Sequence, residues 1–183
     1  MFNVKDIDAE WTLFLDRDGV INYEKQDDYI HTWEEFIFYE GVLEAFEIFA
    51  KNFKTIVIVT NQRGVGKGVT KENDLQNIHH NMKAAVEKNN GRIDAIYYCT
   101  DIDNNSPNRK PNAGMGLQAM KDFPIINPTK ALMIGNTLSD MQFGKNLGIQ
   151  TIFLPTTRPE VNLKDKSIDA VYPSLLAFAK ELL

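Results

Sequence analysis

Short apolar runs, mostly β-branched or aromatic, recur along the chain between stretches of helical spacing. The strand-like runs fall at 11–15, 55–60, 94–99, 130–134 and 150–154, with a shorter one at 168–171. They are nearly continuous rather than alternating, the pattern of strands buried on both faces. Between them the apolar residues take 3- and 4-residue spacing. Val42, Leu43, Phe46, Ile48, Phe49 and Ala50 fall mainly on one helical face, and Leu75, Ile78, Met82, Ala85 and Val86 repeat the pattern. Segments 114–122, 138–147 and 173–183 complete the helices, with Pro173 near the first turn of the last. Strand and helix in alternation predict an α/β fold: a three-layer, Rossmann-like parallel sheet with helices on both faces and right-handed crossovers. The 183 residues are expected to form one domain, 1–183.

Composition narrows the partners. A net charge of −5 argues against a general nucleic-acid surface, because phosphate backbones reward basic patches. The single cysteine, Cys99, makes no internal disulfide, which suits a reducing compartment. The segment from Met1 to Glu10 carries three acidic residues and no apolar core, so no secretory signal is expected. No stretch approaches the roughly 20 apolar residues of a membrane helix. The expectation is a cytoplasmic protein, a monomer or small homo-oligomer, with neither nucleic acid nor membrane as partner.

In a parallel sheet, ligands bind beyond the carboxyl ends of the strands. Here the first strand runs into Asp16-Arg17-Asp18-Gly19, two carboxylates two residues apart in a turn that glycine permits. Such a pair is an ordinary Asp-x-Asp-Gly turn, or it needs a cation or a shared proton to separate its roles. The second strand ends at Thr60-Asn61-Gln62 and is followed by a loop containing Gly64, Gly66, Lys67 and Gly68. That loop is not a nucleotide-binding P-loop, since Gly68 follows Lys67 and Asn stands at position 61. Its glycines are expected to let it wrap close to a substrate. The third strand leads to Arg109-Lys110-Pro111, and the fourth ends at Gly135-Asn136 with Asp140 in the first turn of the next helix. His79 and His80 are expected on a helix surface, not as ligands.

Taken in order, these motifs resemble the haloacid dehalogenase (HAD) superfamily of phosphohydrolases across nearly the whole chain. More narrowly the chain is similar to the branch containing heptose-1,7-bisphosphate and histidinol-phosphate phosphatases. The matching text runs from Leu13 through Asn22, then Tyr29-Ile30-His31, Thr60-Asn61-Gln62, Gly64 to Gly68, Arg109-Lys110-Pro111, Gly114-Met115, and Gly135-Asn136 through Ser139-Asp140-Met141. The resemblance implies that Asp16 is the nucleophile and forms an aspartyl-phosphate. It implies that Asp18 is the general acid and base, holding a proton near neutrality while Asp16 stays ionised. Thr60 and Lys110 would bind the phosphoryl oxygens. A magnesium ion would be held by Asp16, the main-chain carbonyl of Asp18, and the Asn136–Asp140 pair. Asn61, Gln62, Arg63, Lys67, Arg109 and His31 are expected to line the substrate side, the three cations supplying charge for a second phosphate or other acidic group.

Two features depart from the family. Its structural zinc loop needs about four nitrogen or sulfur ligands. The corresponding stretch from Cys99 to Asn108 has one cysteine and no histidine, so no zinc is expected. The family also places aspartate where this chain has Asn136. Losing one charge at about 4 Å, in an effective dielectric near 20, weakens metal binding by up to ~4 kcal/mol before screening. No large cap domain is expected: positions 19–59 and 61–109, the gaps between motifs, already house a helix, and a helix plus a strand. The resulting expectation is a magnesium-dependent phosphomonoesterase acting on a small phosphorylated metabolite, such as D-glycero-D-manno-heptose 1,7-bisphosphate. The alternatives are a histidinol-phosphate phosphatase, a phosphotransferase of the same fold, and a catalytically silent binding module.

Overall fold

The first strand, β1 (Thr12–Leu15), is buried along its full length, and it lies in the middle of a six-stranded sheet. A computed structural model describes residues 2–183. The other strands are β2 (Thr55–Asn61), β3 (Ala95–Cys99), β4 (Ala131–Gly135), β5 (Gln150–Phe153) and β6 (Ala170–Val171). Their order is β3-β2-β1-β4-β5-β6, and every pairing is parallel. The chain builds outward one way from β1 through β2 to β3, then returns to β4 on the other side. The reversal puts a crevice at the carboxyl ends of β1, β2 and β4, where an open α/β sheet binds its ligands.

Residues alternate across the sheet between two cores. Leu13, Leu15, Ile56, Ile58, Leu132 and Ile134 pack on one face, while Phe14, Val57, Val59 and Met133 pack on the other. The first face is covered by α1 (Val42–Asn52), α3 (Glu72–Lys88) and α6 (Leu175–Lys180), and the second by α4 (Gly114–Asp122) and α5 (Leu138–Leu147). With both faces covered, the strands carry continuous apolar runs. No large cap is inserted between these elements, and among the described residues no helix is long and apolar enough to cross a membrane.

Some bounds differ from expectation for local reasons. Helix α3 begins at Glu72, where Glu72 and Asp74 favour the positive end of the helix dipole, a signal that apolar spacing alone does not register. Helix α6 starts after Ser174, whose side chain accepts from the Ala177 N–H, so Pro173 lies outside it. The glycine-rich loop contains a single helical turn, α2 (Arg63–Gly66). Its close approach is to protein: a Cβ on Gly66 would overlap the carbonyl oxygen of Thr100.

Candidate active site

Asp16 follows β1 directly, its N–H bonded to the Ile134 carbonyl of β4, so the sheet itself fixes the start of the turn. Gly19, at φ +84°, closes that turn against Asn136, which leaves no room there for a Cβ. Asp16, Asp18, Thr60, Lys110 and Asp140 line one cavity of about 410 Å3. Within it Lys110 Nζ lies 2.8 Å from Asp16 Oδ1 and 2.6 Å from Asp140 Oδ1. Both are ion-pair distances, so the buried ammonium is held between the two carboxylates.

Asn61 lines both this cavity and a neighbouring cleft, Gln62 lines the cleft, and both also bond other residues of the site. Asn61 bonds the Lys110 main chain in both directions, accepting from its N–H (3.0 Å) and donating to its carbonyl (3.1 Å). Gln62 is buried and donates to Asp18 Oδ2 and Thr60 Oγ1, both at 2.9 Å. The amides at the end of β2 are therefore spent on neighbouring site residues. His31 lies outside the cavity, its Nδ1 2.8 Å from Thr70 Oγ1 and its Nε2 3.1 Å from Asp28, where it ties the loop after β1 to the α2–α3 connection.

Arg63, Lys67 and Arg109 do converge. They line a cleft of about 1030 Å3 that shares Asp18, Asn61 and Arg109 with the cavity. Arg63 Nη2 and Arg109 Nε both donate to Asn104 Oδ1, at 2.9 and 3.3 Å. Burial, and then the neighbouring Arg63 charge, hold Arg109 below its usual pKa. Among the described residues none of the three cations forms an ion pair, although Asp18, Glu24, Asp27, Asp28 and Glu160 line the same cleft. The loop from Cys99 to Arg109 is closed by hydrogen bonds: Asp101 with Ser106, and Asn112 to the Asn104 and Ser106 carbonyls.

One expectation changes, at His79, and partners that the sequence does not show hold Asp140 and the acid pair. Asp140 Oδ2 accepts from Thr137 N and Oγ1 (3.0 and 2.7 Å) as the capping box of α5, and Oδ1 faces Lys110. Burial and neighbouring charge also act differently on the two acids of the pair. Burial, helped by Asp140 and Asp18 and opposed by Lys110, pushes Asp16 up to about 7. Asp18 is half-buried, and Arg17 and the hydrogen bonds from Asn22 and Gln62 outweigh the burial and hold it below the usual carboxylate range. Last, His79 is buried and stands 3.1 Å from Arg17 Nη1, while His80 is exposed.

A magnesium ion fits the donors that remain. Asn136 has no exposed surface; its Nδ2 donates to Thr157 Oγ1 at 2.6 Å, and its Oδ1 is buried without a partner. An orphaned amide oxygen and a carboxylate that burial disfavours are both relieved by a hard cation. No three carboxylate, imidazole or thiol groups converge among the described residues. Magnesium, which commonly binds one or two carboxylates and keeps several waters, does not require such a cage.

The family model described as polynucleotide kinase 3 phosphatase matches residues 3–153. A D-glycero-alpha-D-manno-heptose-1,7-bisphosphate 7-phosphatase of Campylobacter jejuni is 39% identical over 142 residues, 78% of this chain and 80% of the relative. The chain belongs to the HAD phosphatases, in the heptose-bisphosphate branch. It is accordingly a phosphoric monoester hydrolase. A D-glycero-beta-D-manno-heptose-1,7-bisphosphate 7-phosphatase of Haemophilus ducreyi is 32% identical over 173 residues, 90% of this chain and 93% of that one. Among solved structures, the D,D-heptose 1,7-bisphosphate phosphatase of B. bronchiseptica, complexed with magnesium and phosphate, superposes with a TM-score of 0.83 at 27% identity. That match covers 94% of this chain and 97% of the other. For a HAD phosphatase the departures noted above, Asn136 and the cysteine-poor loop, are properties of this chain.

Proposed function

We propose that the protein removes one phosphate from a heptose 1,7-bisphosphate, with magnesium, through an aspartyl-phosphate on Asp16. The observation that carries this reading is the pairing of Asp16 with Lys110 at 2.8 Å, in a cavity also lined by Asp18 and Thr60. The Arg17 N–H, 2.8 Å from Asp16 Oδ1, and Lys110 orient the nucleophile. Its carboxylate forms a bond to phosphorus as the ester P–O bond breaks. Asp18 gives a proton to the leaving alkoxide, then takes one from the water that releases phosphate from Asp16. It begins ionised and takes its proton from solvent as the substrate binds, the like charge of the phosphate dianion favouring the protonated acid. Lys110 and the Thr60 hydroxyl face the charge that develops on the phosphoryl oxygens. Asp16, the Asp18 carbonyl and Asn136 would hold magnesium, which when bound supplies positive charge between the carboxylate and the incoming phosphate. Arg63, Lys67 and Arg109 meet the phosphate that is not cleaved.

The test is phosphate release from heptose bisphosphates of both anomers, histidinol phosphate, an aryl phosphate and a 3′-phosphorylated oligonucleotide, with magnesium or chelator. We expect turnover of a heptose bisphosphate that chelation abolishes and that Asp16→Asn abolishes. Activity surviving either treatment overturns the mechanism, and preference for the oligonucleotide or histidinol phosphate overturns the substrate.

A further inference from the structure

Among the described residues Arg17 is the largest side chain without exposed surface, and it lines neither the cavity nor the cleft. Its guanidinium is divided between two partners. Nε and Nη2 grip the Asp18 carboxylate, at 3.2 Å and 2.8 Å to Oδ1 and 2.8 Å to Oδ2. Nη1 points the other way, 3.1 Å from His79 Nε2, and Phe36 lies under the plane with its centroid 5.9 Å from Cζ. Arginine only donates, so His79 Nε2 is the acceptor and the imidazole is neutral with its proton on Nδ1. The ring is held in place: Tyr98 packs on it at 5.4 Å, and the Tyr98 hydroxyl donates to Glu72 of the same helix at 2.6 Å.

We propose that His79 is a positioning residue for the acid step: by accepting from Nη1 it sets the guanidinium plane that keeps Arg17 on Asp18. This rests on the reading of Asp18 as general acid. Without an acceptor at 79, Nη1 is a buried unpaired donor, and an unpaired donor is costly enough to turn the group toward another partner. Asp18 keeps Asn22 Nδ2 at 2.9 Å and Gln62 Nε2 at 2.9 Å, so it stays in the site but loses the two-pronged grip that fixes its direction. General-acid catalysis needs that direction, because the proton must meet the leaving oxygen within hydrogen-bond reach.

The readout is dependence on the leaving group. An alkoxide leaving from a heptose bisphosphate needs the proton, whereas p-nitrophenolate scarcely does. In the full-length enzyme, His79→Met is expected to lower kcat/KM for the heptose bisphosphate at least tenfold and for p-nitrophenyl phosphate less than threefold. His79→Gln, which restores an acceptor, should recover most of the loss. Phe36→Leu, which loosens the plane from its other side and spares the buried histidine, should give a smaller loss of the same selective kind. Equal losses on both substrates, or no rescue by glutamine, overturn the proposal. Asp18→Asn is the control: if it too lacks leaving-group dependence, the acid reading of Asp18 has failed, and if it alone shows it, only the role of His79 has failed.

Discussion

Lys110 Nζ is nearer to Asp140 Oδ1, at 2.6 Å, than to the Asp16 oxygen it would serve in catalysis, at 2.8 Å. Both Lys110 and Asp140 are almost wholly buried, and the two carboxylates together outweigh burial and hold the Lys110 pKa up. Asp140 therefore anchors the ammonium while its other oxygen caps α5. Asp140→Asn should cost about 3–5 kcal/mol, as breaking a buried charge pair does, and should lower turnover as Lys110 drifts. Urea denaturation and steady-state kinetics check this; wild-type values in both would refute the anchoring role.

In the proposed site Asn136 would offer magnesium an amide oxygen where its relatives are expected to offer a carboxylate. Asn136→Asp should tighten magnesium binding by one to three powers of ten, at about 1.4 kcal/mol each. Thr157 can accommodate the change, since its hydroxyl donates to a carboxylate as readily as it accepts from the amide. Calorimetric titration of the free protein, or the magnesium-induced rise in Tm, measures the gain. No change would show that Asn136 does not touch the ion.

His79 makes the fold sensitive to acid. Burial, then the Arg17 charge, depress its pKa to about 3 from an ordinary 6.5. Between those values the unfolded chain binds a proton that the folded protein refuses, so stability falls as pH drops from 6.5 toward 3. The slope is about 1.4 kcal/mol per pH unit. His79→Gln should flatten this part of the pH dependence, read as urea midpoints between pH 7 and pH 4. Parallel curves for the two proteins would rule it out.

The unpaired cations Arg63, Lys67 and Arg109 in the cleft predict discrimination between a bisphosphate and a monophosphate. Arg63→Ala and Arg109→Ala each remove a charge-assisted contact worth about 1.5–3 kcal/mol, roughly 10- to 100-fold in KM. The rise should appear for the heptose bisphosphate and be small for p-nitrophenyl phosphate. A uniform rise would mean that the arginines serve the loop, through Asn104, rather than the ligand.

Some of the site was legible because it is local. Asp16 and Asp18 sit in one turn, and Thr60 is the last residue but one of the strand that the Thr55–Thr60 run announces. Asp140 was in view in the first turn of a helix, even though its capping by Thr137 and its duty toward Lys110 were not. Asn61 and Gln62 were noticed for their position, but their partners, the Lys110 main chain and Asp18, lie 49 and 44 residues away. Nothing in the local text states such pairings.

By itself the sequence determined the alternation of strand and helix, the parallel sheet, the motifs at its strand ends and the absence of room for a cap. Those follow from side-chain periodicity and short-range turn chemistry, which neighbouring residues carry in full. Tertiary structure decided that His79 faces Arg17 across 62 residues, that Asp140 belongs to Lys110, and that Asp16 rather than Asp18 is driven toward its neutral form. The reason is physical: burial and charge proximity belong to the packed interior, and they exist only once the strands have taken their order and register.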